Sequence, residues 1–367
     1  MKFTCLHENL NKGLNQVSHL ASKNISLPIL NNVMIVCEGG VIKLSATNLE
    51  IGVNTIIRGK VEEEGKITIP AKTIADYINL LSDDKVEISS QDNSLFIASR
   101  NTKTIIKGQG VEEFPLIPLV EQKEAYYIKT KEFKKAISQT VYAVAQDESR
   151  PEISGVFLSI SGETATLVAT DSYRLAEKKV KLTKTSKKNI AIIIPTRTIL
   201  ELSRILSEEV NQLEMYFNDN QIMFVCEGVE IISRIIEGQY PDYKQIIPQE
   251  YKTTASFSRE GMVKAVKGAA LFSKTGINDV NIKIDPTGNK LIISSANTQL
   301  GESVAEFKAE VVGEANEIVF NHRYLLDGLS NLESSEATIS LINRSNPGAL
   351  MAKGDNEFTY IIMPIKQ

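Results

Sequence analysis

The chain says nearly the same thing three times, and that repetition restricts its fold more than any other feature. IKLSATNLE (42–50), ATLVATDSY (165–173) and LIISSANTQ (291–299) are each an alternating apolar stretch that ends in small residues and an Asn or Asp. Asn48, Asp171 and Asn297 stand in register, at steps of 123 and 126 residues. Downstream, GKITIPAKTIADYINLL (65–81), NIAIIIPTRTILELSRIL (189–206) and NEIVFNHRYLLDGLSNL (316–332) each read as a strand, a break and a short amphipathic helix. Pro70 and Pro195 fall where a helix accepts proline near its start, and Asn321 takes the same place in the third copy.

Upstream, each copy opens with another helical pattern: ENLNKGLNQVSHLA (8–21), KEFKKAISQTVYAVA (131–145) and REGMVKAVKGAALFS (259–273). Leu10, Leu14, Val17 and Leu20 share one face, as do Phe133, Ile137 and Val141. The first two copies end alike, in VEEFPLIP (111–118) and GQYPDYKQIIP (238–248), which read as interdomain linkers. KVEISSQDNSLFIAS (85–99) and QLEMYFNDNQIMFVC (212–226) carry Asp-Asn and Asn-Asp-Asn turns and read as antiparallel hairpins. The spacing predicts three domains, 1–120, 126–248 and 252–367. The fold class is α+β, each domain having two helices packed on antiparallel sheets of about eight strands.

With 367 residues, 42% apolar and 23% charged, the chain can build real cores. No apolar run approaches the ~18 residues of a membrane span, and MKFTCLHENLNKG carries no signal-like apolar segment. A cytoplasmic location is expected. Cys5, Cys37 and Cys226 lack any metal-ligand spacing, and the last two sit in apolar runs as buried strand residues. No cofactor or metal site is expected.

The net charge of −4 is unevenly spread. The six helix windows hold Lys12, Lys23, Lys72, Lys131, Lys134, Lys135, Arg197, Arg204, Arg259, Lys264, Lys267 and Arg323 against Glu8, Asp76, Glu132, Glu201, Glu260 and Asp327. One reading is ordinary solvated helix faces. The other is that all six face one polyanion, and lysines and arginines without stacking aromatics suit sequence-independent contact with duplex phosphates.

Catalytic motifs are missing. There is no GxxxxGK[ST], GxSxG or HExxH, Gly108-Gln109-Gly110 lacks a third glycine, and His7, His19 and His322 have no paired-ligand spacing. Ser82-Asp83-Asp84 reads as a cap or turn. Because Asn48 and Asn297 replace Asp171 in the sister copies, the repeated need is a turn-forming side chain, not a charge. Tyr173, Arg174 and Leu175 belong to the middle copy alone, and that composition suits either a protein-binding surface or core packing. FTYIIMPIKQ (358–367) stays apolar almost to its end, and its Met363-Pro364-Ile365 suits an adaptable binding surface.

Three similar domains, ATDSYRLA in the middle one, SLPILNNVMI (26–35), GQYPDYKQIIP and the final YIIMPIK together resemble the bacterial DNA polymerase III beta subunits over the whole chain. The resemblance implies three DNA-clamp domains and a head-to-tail homodimer that closes as a ring around duplex DNA, sheets outside and helices lining the hole. It implies a non-catalytic processivity factor with a peptide groove between domains two and three. Carried over by position, the groove consists of Ile153, Thr170, Ser172, Tyr173, Arg174, Leu175, Pro241, Ile246, Pro347, Ile361, Ile362, Met363, Pro364 and Ile365. Implied DNA-facing residues are Lys23, Lys72, Arg150 and Arg197. Implied ring contacts set Leu271 and Phe272 of one chain against Thr104 and Ile105 of the other.

Implied partners are the polymerase alpha subunit, the clamp-loader delta subunit, repair polymerases, mismatch-repair proteins and the initiation regulator Hda. The chain departs from the family at Ser172-Tyr173, where Gly-His is frequent, at Gln245 and Asn24, where basic residues are common, and at its Lys366-Gln367 end. Two alternatives are weighed against this reading: a peptide-binding scaffold that does not encircle DNA, and a hydrolase using Asp171 and Tyr173.

Overall fold

The computed structural model describes residues 1–21, 26–147, 149–186, 188–207 and 210–366, so Lys23, Asn24 and Gln367 lie outside it. The chain resolves into two compact units. The first is Met1–Lys131 with Thr183–Ser186 and Leu200–Ile235; the second is Glu132–Leu182, Lys187–Ile199 and Ile236–Gln367. Elements are numbered along the chain.

The first unit holds two antiparallel sheets. One runs β5 (Gly59–Glu63), β1 (Lys2–Leu6), β7 (Lys85–Gln91), β8 (Ser94–Ala98), β9 (Lys103–Lys107). The β7–β8 hairpin turns at Asp92 and Asn93, both at positive φ (45° and 56°), as its Asp-Asn turn predicts. The other sheet runs β6 (Gly65–Pro70), β2 (Asn32–Glu38), β3 (Val41–Thr47), β4 (Ile51–Ile57), β17 (Val229–Arg234), β16 (Gln221–Cys226), β15 (Gln212–Phe217), β10 (Tyr126–Lys129). It carries helices α1 (His7–Ser18) and α2 (Ala71–Leu80).

The expected stripe of Leu10, Leu14, Val17 and Leu20 is buried, as are Ile74 and Ile78 of α2. Each such burial contributes about 1.5–3 kcal/mol. Gly13 lies mid-helix because a Cβ there would stand 2.4 Å from Ile57 Cγ2, so α1 approaches β4 too closely for a side chain.

The second unit has the same plan. Its large sheet runs β14 (Ile190–Pro195), β11 (Gly155–Ser161), β12 (Thr164–Thr170), β13 (Arg174–Lys184), β26 (Phe358–Ile362), β25 (Gly348–Ala352), β24 (Glu336–Leu341), β18 (Thr253–Ser258), β22 (Glu310–Gly313). Its smaller sheet is β21 (Gly301–Lys308), β20 (Lys290–Asn297), β19 (Asp279–Asp285), β23 (Asn316–Asn321). Helices α5 (Arg259–Ala270) and α6 (His322–Ser330) belong to this unit. Asn321 caps α6 by accepting a hydrogen bond from Arg323 N at 2.9 Å.

Helices α3 (Thr130–Thr140) and α4 (Thr196–Ile205) have residues in both units. Phe133 and Ile137 are buried as expected, but α3 stops at Thr140, and Val141 belongs to a following 3-10 turn. The Thr140 hydroxyl donates back to Ala136 O at 2.7 Å, a bond that competes with helix continuation.

The repeats join in one way. The last strand of the middle copy, β17, pairs with β4 of the first, setting Ile232 opposite Gly52. The last strand of the third copy, β26, pairs with β13 of the middle one, setting Ile361 opposite Leu175. Among the described residues the copies contain nine, eight and nine strands, close to the eight expected of each.

Candidate functional site

Both joints begin at the repeated turn. Asp171 Oδ1 accepts hydrogen bonds from Tyr173 N and Arg174 N, each at 3.0 Å. Asn48 Oδ1 accepts from Glu50 N (3.1 Å) and Ile51 N (2.8 Å), and Asn297 Oδ1 from Gln299 N (2.9 Å) and Leu300 N (3.3 Å). The position therefore needs an acceptor oxygen, which Asn and Asp supply equally. Leu49 and Ser172 take the same left-handed backbone, φ 77° and 75°. Glycine adopts that region freely, which fits its frequency at the Ser172 position in the resembling family.

Arg174 is the middle copy's addition, and the structure turns it inward. Its side chain is only 11% exposed. Nε donates to Asp171 Oδ2 at 3.0 Å, one terminal nitrogen binds Asp327 of α6, and the other donates to Tyr142 O at 2.7 Å. The guanidinium carbon lies 4.7 Å from the centre of the Tyr324 ring. Burial works against the cation, but the Tyr360 phenol and the carboxylates of Asp327 and Asp171 outweigh it and hold the pKa above the ordinary arginine value. Arg174 thus fastens the turn to α6. Tyr173 stays 63% exposed and stacks on Tyr324, ring centres 6.3 Å apart.

The residues carried over for the groove separate into a core and a rim. Ile153, Thr170, Leu175, Ile361 and Ile362 are buried, and Ile153, Leu175 and Ile361 join one apolar cluster with Val168, Tyr240 and Tyr243. The rim is Ser172, Tyr173, Ile246 and Met363, all exposed, with Pro241, Pro347, Pro364 and Ile365 half-buried. The rim is held by main chain. Met363 N donates to Tyr173 O at 2.9 Å and Ile365 N to Val319 O at 2.8 Å, so the chain end is an ordered wall.

The stretch 238–248, expected to be a linker, is a fixed strap: Tyr240 stacks on Phe157 at 4.7 Å and a 3-10 turn, Tyr243–Ile246, presents Ile246. Gln245 donates to Asp242 Oδ2 at 2.8 Å within that turn.

The basic residues divide as well. Lys12, Lys135 and Lys264 pair with Glu227, Glu333 and Glu260. Arg204 pairs with Glu201 and donates to the Asn15 and Gln16 carbonyls at the end of α1. Lys72, Lys131, Arg197, Lys267 and Arg323 are exposed, with no ion pair to a described residue. Arg150 is on no helix: it donates to Ser172 Oγ at 2.7 Å and pairs with Glu152, beside the turn. Its sequence neighbours gave no sign of that contact, which spans 22 residues.

Ile105, 57% exposed, and half-buried Thr104 lie on the outermost strand β9; Leu271, 72% exposed, and half-buried Phe272 follow α5. Among the described residues no cluster of His, Cys, Asp or Glu could hold a metal, and none of their helices is long and apolar enough to cross a membrane. Asp84 O accepts from His7 N at 2.9 Å, extending the β1–β7 ladder by one bond.

Three repeats of two helices on antiparallel sheets, joined strand to strand, define a DNA-clamp fold. Residues 1–118, 127–242 and 244–366 match, in order, the N-terminal, central and C-terminal domains of the DNA polymerase III beta subunit. The chain belongs to that family, and is a non-catalytic processivity subunit of DNA replication.

It is 29% identical to the beta sliding clamps of Synechococcus elongatus and Staphylococcus aureus, over all of this chain and 99% of each of those. The sliding clamp of Bacillus subtilis superposes with TM-score 0.95 at 28% identity, covering 100% of this chain and 99% of that one. The Pseudomonas aeruginosa clamp, solved bound to griselimycin, gives 0.94 at 25%, covering both chains fully.

Proposed function

We propose that two copies of this chain close head to tail around duplex DNA and hold replication and repair proteins at the Tyr173 rim. The observation that carries this reading is the unbroken, in-order match of three clamp domains across the chain. The domains are 1–120, 126–248 and 252–367. Exposed Lys72 and Arg197 face the duplex, and loose phosphate contacts let a topologically held ring slide. Arg150, whose guanidinium also donates to Ser172 Oγ, is a further DNA-facing candidate.

Leu271 and Phe272 of one chain meet Thr104 and Ile105 on the edge strand of its partner, a heterologous contact that closes as a ring. The rim receives short apolar peptides from the polymerase alpha subunit, the clamp-loader delta subunit, repair polymerases, mismatch-repair proteins and Hda. Such a complex works in the cytoplasm.

The test is retention. Loaded on nicked circular DNA, the protein should remain at high salt and be lost once the circle is cut. Loss from both forms would leave the non-encircling scaffold as the better reading. For the rim, Y173A with I246K should abolish peptide binding and leave the dimer intact; unchanged binding would place the groove elsewhere.

A further inference from the structure

The joint between the first two copies builds the same surface a second time. The turns correspond bond for bond. Thr47 Oγ1 donates to Ile51 O at 2.9 Å and accepts from Leu49 N, while Thr170 Oγ1 donates to Arg174 O at 2.7 Å and accepts from Ser172 N. The registers correspond too. Thr47 pairs with Gly52 and Gly52 with Ile232, as Thr170 pairs with Leu175 and Leu175 with Ile361. By the same count Glu50 takes the place of Tyr173, and Arg234 that of Met363. Phe114-Pro115 matches Tyr240-Pro241 in the adjoining strap, and Phe114 is likewise buried.

At this joint lies a cavity of about 260 Å³ bounded by Thr47, Glu50, Gly52, Pro115, Ile232 and Arg234. Gly52 lacks the side chain of Leu175, and Ile117 fills that space: a Cβ on Gly52 would stand 2.6 Å from Ile117 Cγ2. Pro115, Pro118 and Ile232 give the cavity apolar walls, beside the polar Thr47, Glu50, Gln221 and Arg234. Its rim carries Leu49, 50% exposed, and Leu116, 96% exposed, an unusual cost for surface leucines clustered at one cavity.

We propose that this cavity is a second docking site for a short extended peptide, one that offers a large apolar side chain and an acidic residue beside it. The inference rests on the reading of the Tyr173 rim as a peptide groove, because repeat symmetry says what occupies its counterpart. The volume falls below that of drug-sized sites, so it accommodates a side chain or two and excludes a folded partner surface. Arg234 is exposed and makes no ion pair with a described residue, so an acidic peptide residue completes it. The first joint lacks any counterpart of Arg174, since Ile51 is buried there, so the two sites differ in sequence preference.

The probe is an acetylated hexapeptide with a Leu-Phe pair, one aspartate and a benzophenone, added to the full chain and mapped by mass spectrometry. Crosslinks are expected at 49–52 and 116–118 as well as at 173 and 246. L116K with R234E should weaken the first set about tenfold and leave the second unchanged. Y173A with I246K should do the reverse. Crosslinks confined to the second set, or a first set indifferent to L116K with R234E, would overturn the proposal and leave the groove reading intact. Crosslinks only in the first set would support it and overturn the groove reading. Absence of both sets would remove both.

Discussion

Replacing Arg174 with alanine tests whether this residue is a fastening or a ligand contact. The side chain is 11% exposed, and its loss strands three acceptors at once. Tyr142 O loses a 2.7 Å bond, Asp171 Oδ2 a 3.0 Å bond and Asp327 its ion-pair partner. Asp327 is 47% exposed and regains water, and Asp171 keeps its two backbone donors, so those terms are discounted. A stranded carbonyl costs about 1–3 kcal/mol, and breaking the half-buried charge pairs adds a comparable amount. The expected loss is about 3 kcal/mol, on the order of a hundredfold in the local opening equilibrium.

Hydrogen exchange resolves this region by region, which suits a multidomain chain that need not unfold in one step. Amides of 171–182 and 358–363 should lose protection in R174A, while those of the first unit keep theirs. R174K should fall between, since an ammonium cannot reproduce the fork or the stacking on Tyr324. Unchanged protection in R174A, with peptide binding lost, would refute the fastening and make Arg174 a contact residue only.

D171N should keep the turn, as Asn48 and Asn297 do, and lose about 1 kcal/mol with the Arg174 pair, whereas D171A should cost more; equal melting temperatures would refute this. Burial raises the phenol pKa values of Tyr142, Tyr240 and Tyr360, so these groups favour the fold fully below the ordinary phenol value. That contribution drains as pH rises beyond about 10. Tyrosinate absorbance from them should therefore appear together with unfolding, and early non-cooperative ionisation of all eleven tyrosines would contradict it. Burial pushes the Cys5 thiol up to about 12 and those of Cys37 and Cys226 up to about 11, so a thiol reagent should titrate all three only after denaturation.

What the sequence determined by itself was everything set by short-range pattern. The three-copy register, the helices after Pro70, Pro195 and Asn321, the Asp92-Asn93 hairpin and the structural role of Asp171 all rest on contacts within a few residues. Period and turn chemistry express such contacts directly. Tertiary structure alone decided which side chains became surface. Leu175 and Ile361 are buried beside Tyr240 and Tyr243 of the strap 238–248, a contact between distant segments that only the folded chain sets.

Arg150, a DNA-facing candidate by resemblance, also donates to Ser172 Oγ, a contact its sequence neighbours do not announce. Arg174 stood open between binding surface and core packing and is an internal clamp, a role the sequence hides because its partner Asp327 lies 153 residues away. No periodicity within one repeat can encode a pairing between two of them, and the burial that gives such a pairing its strength exists only once the sheets have joined.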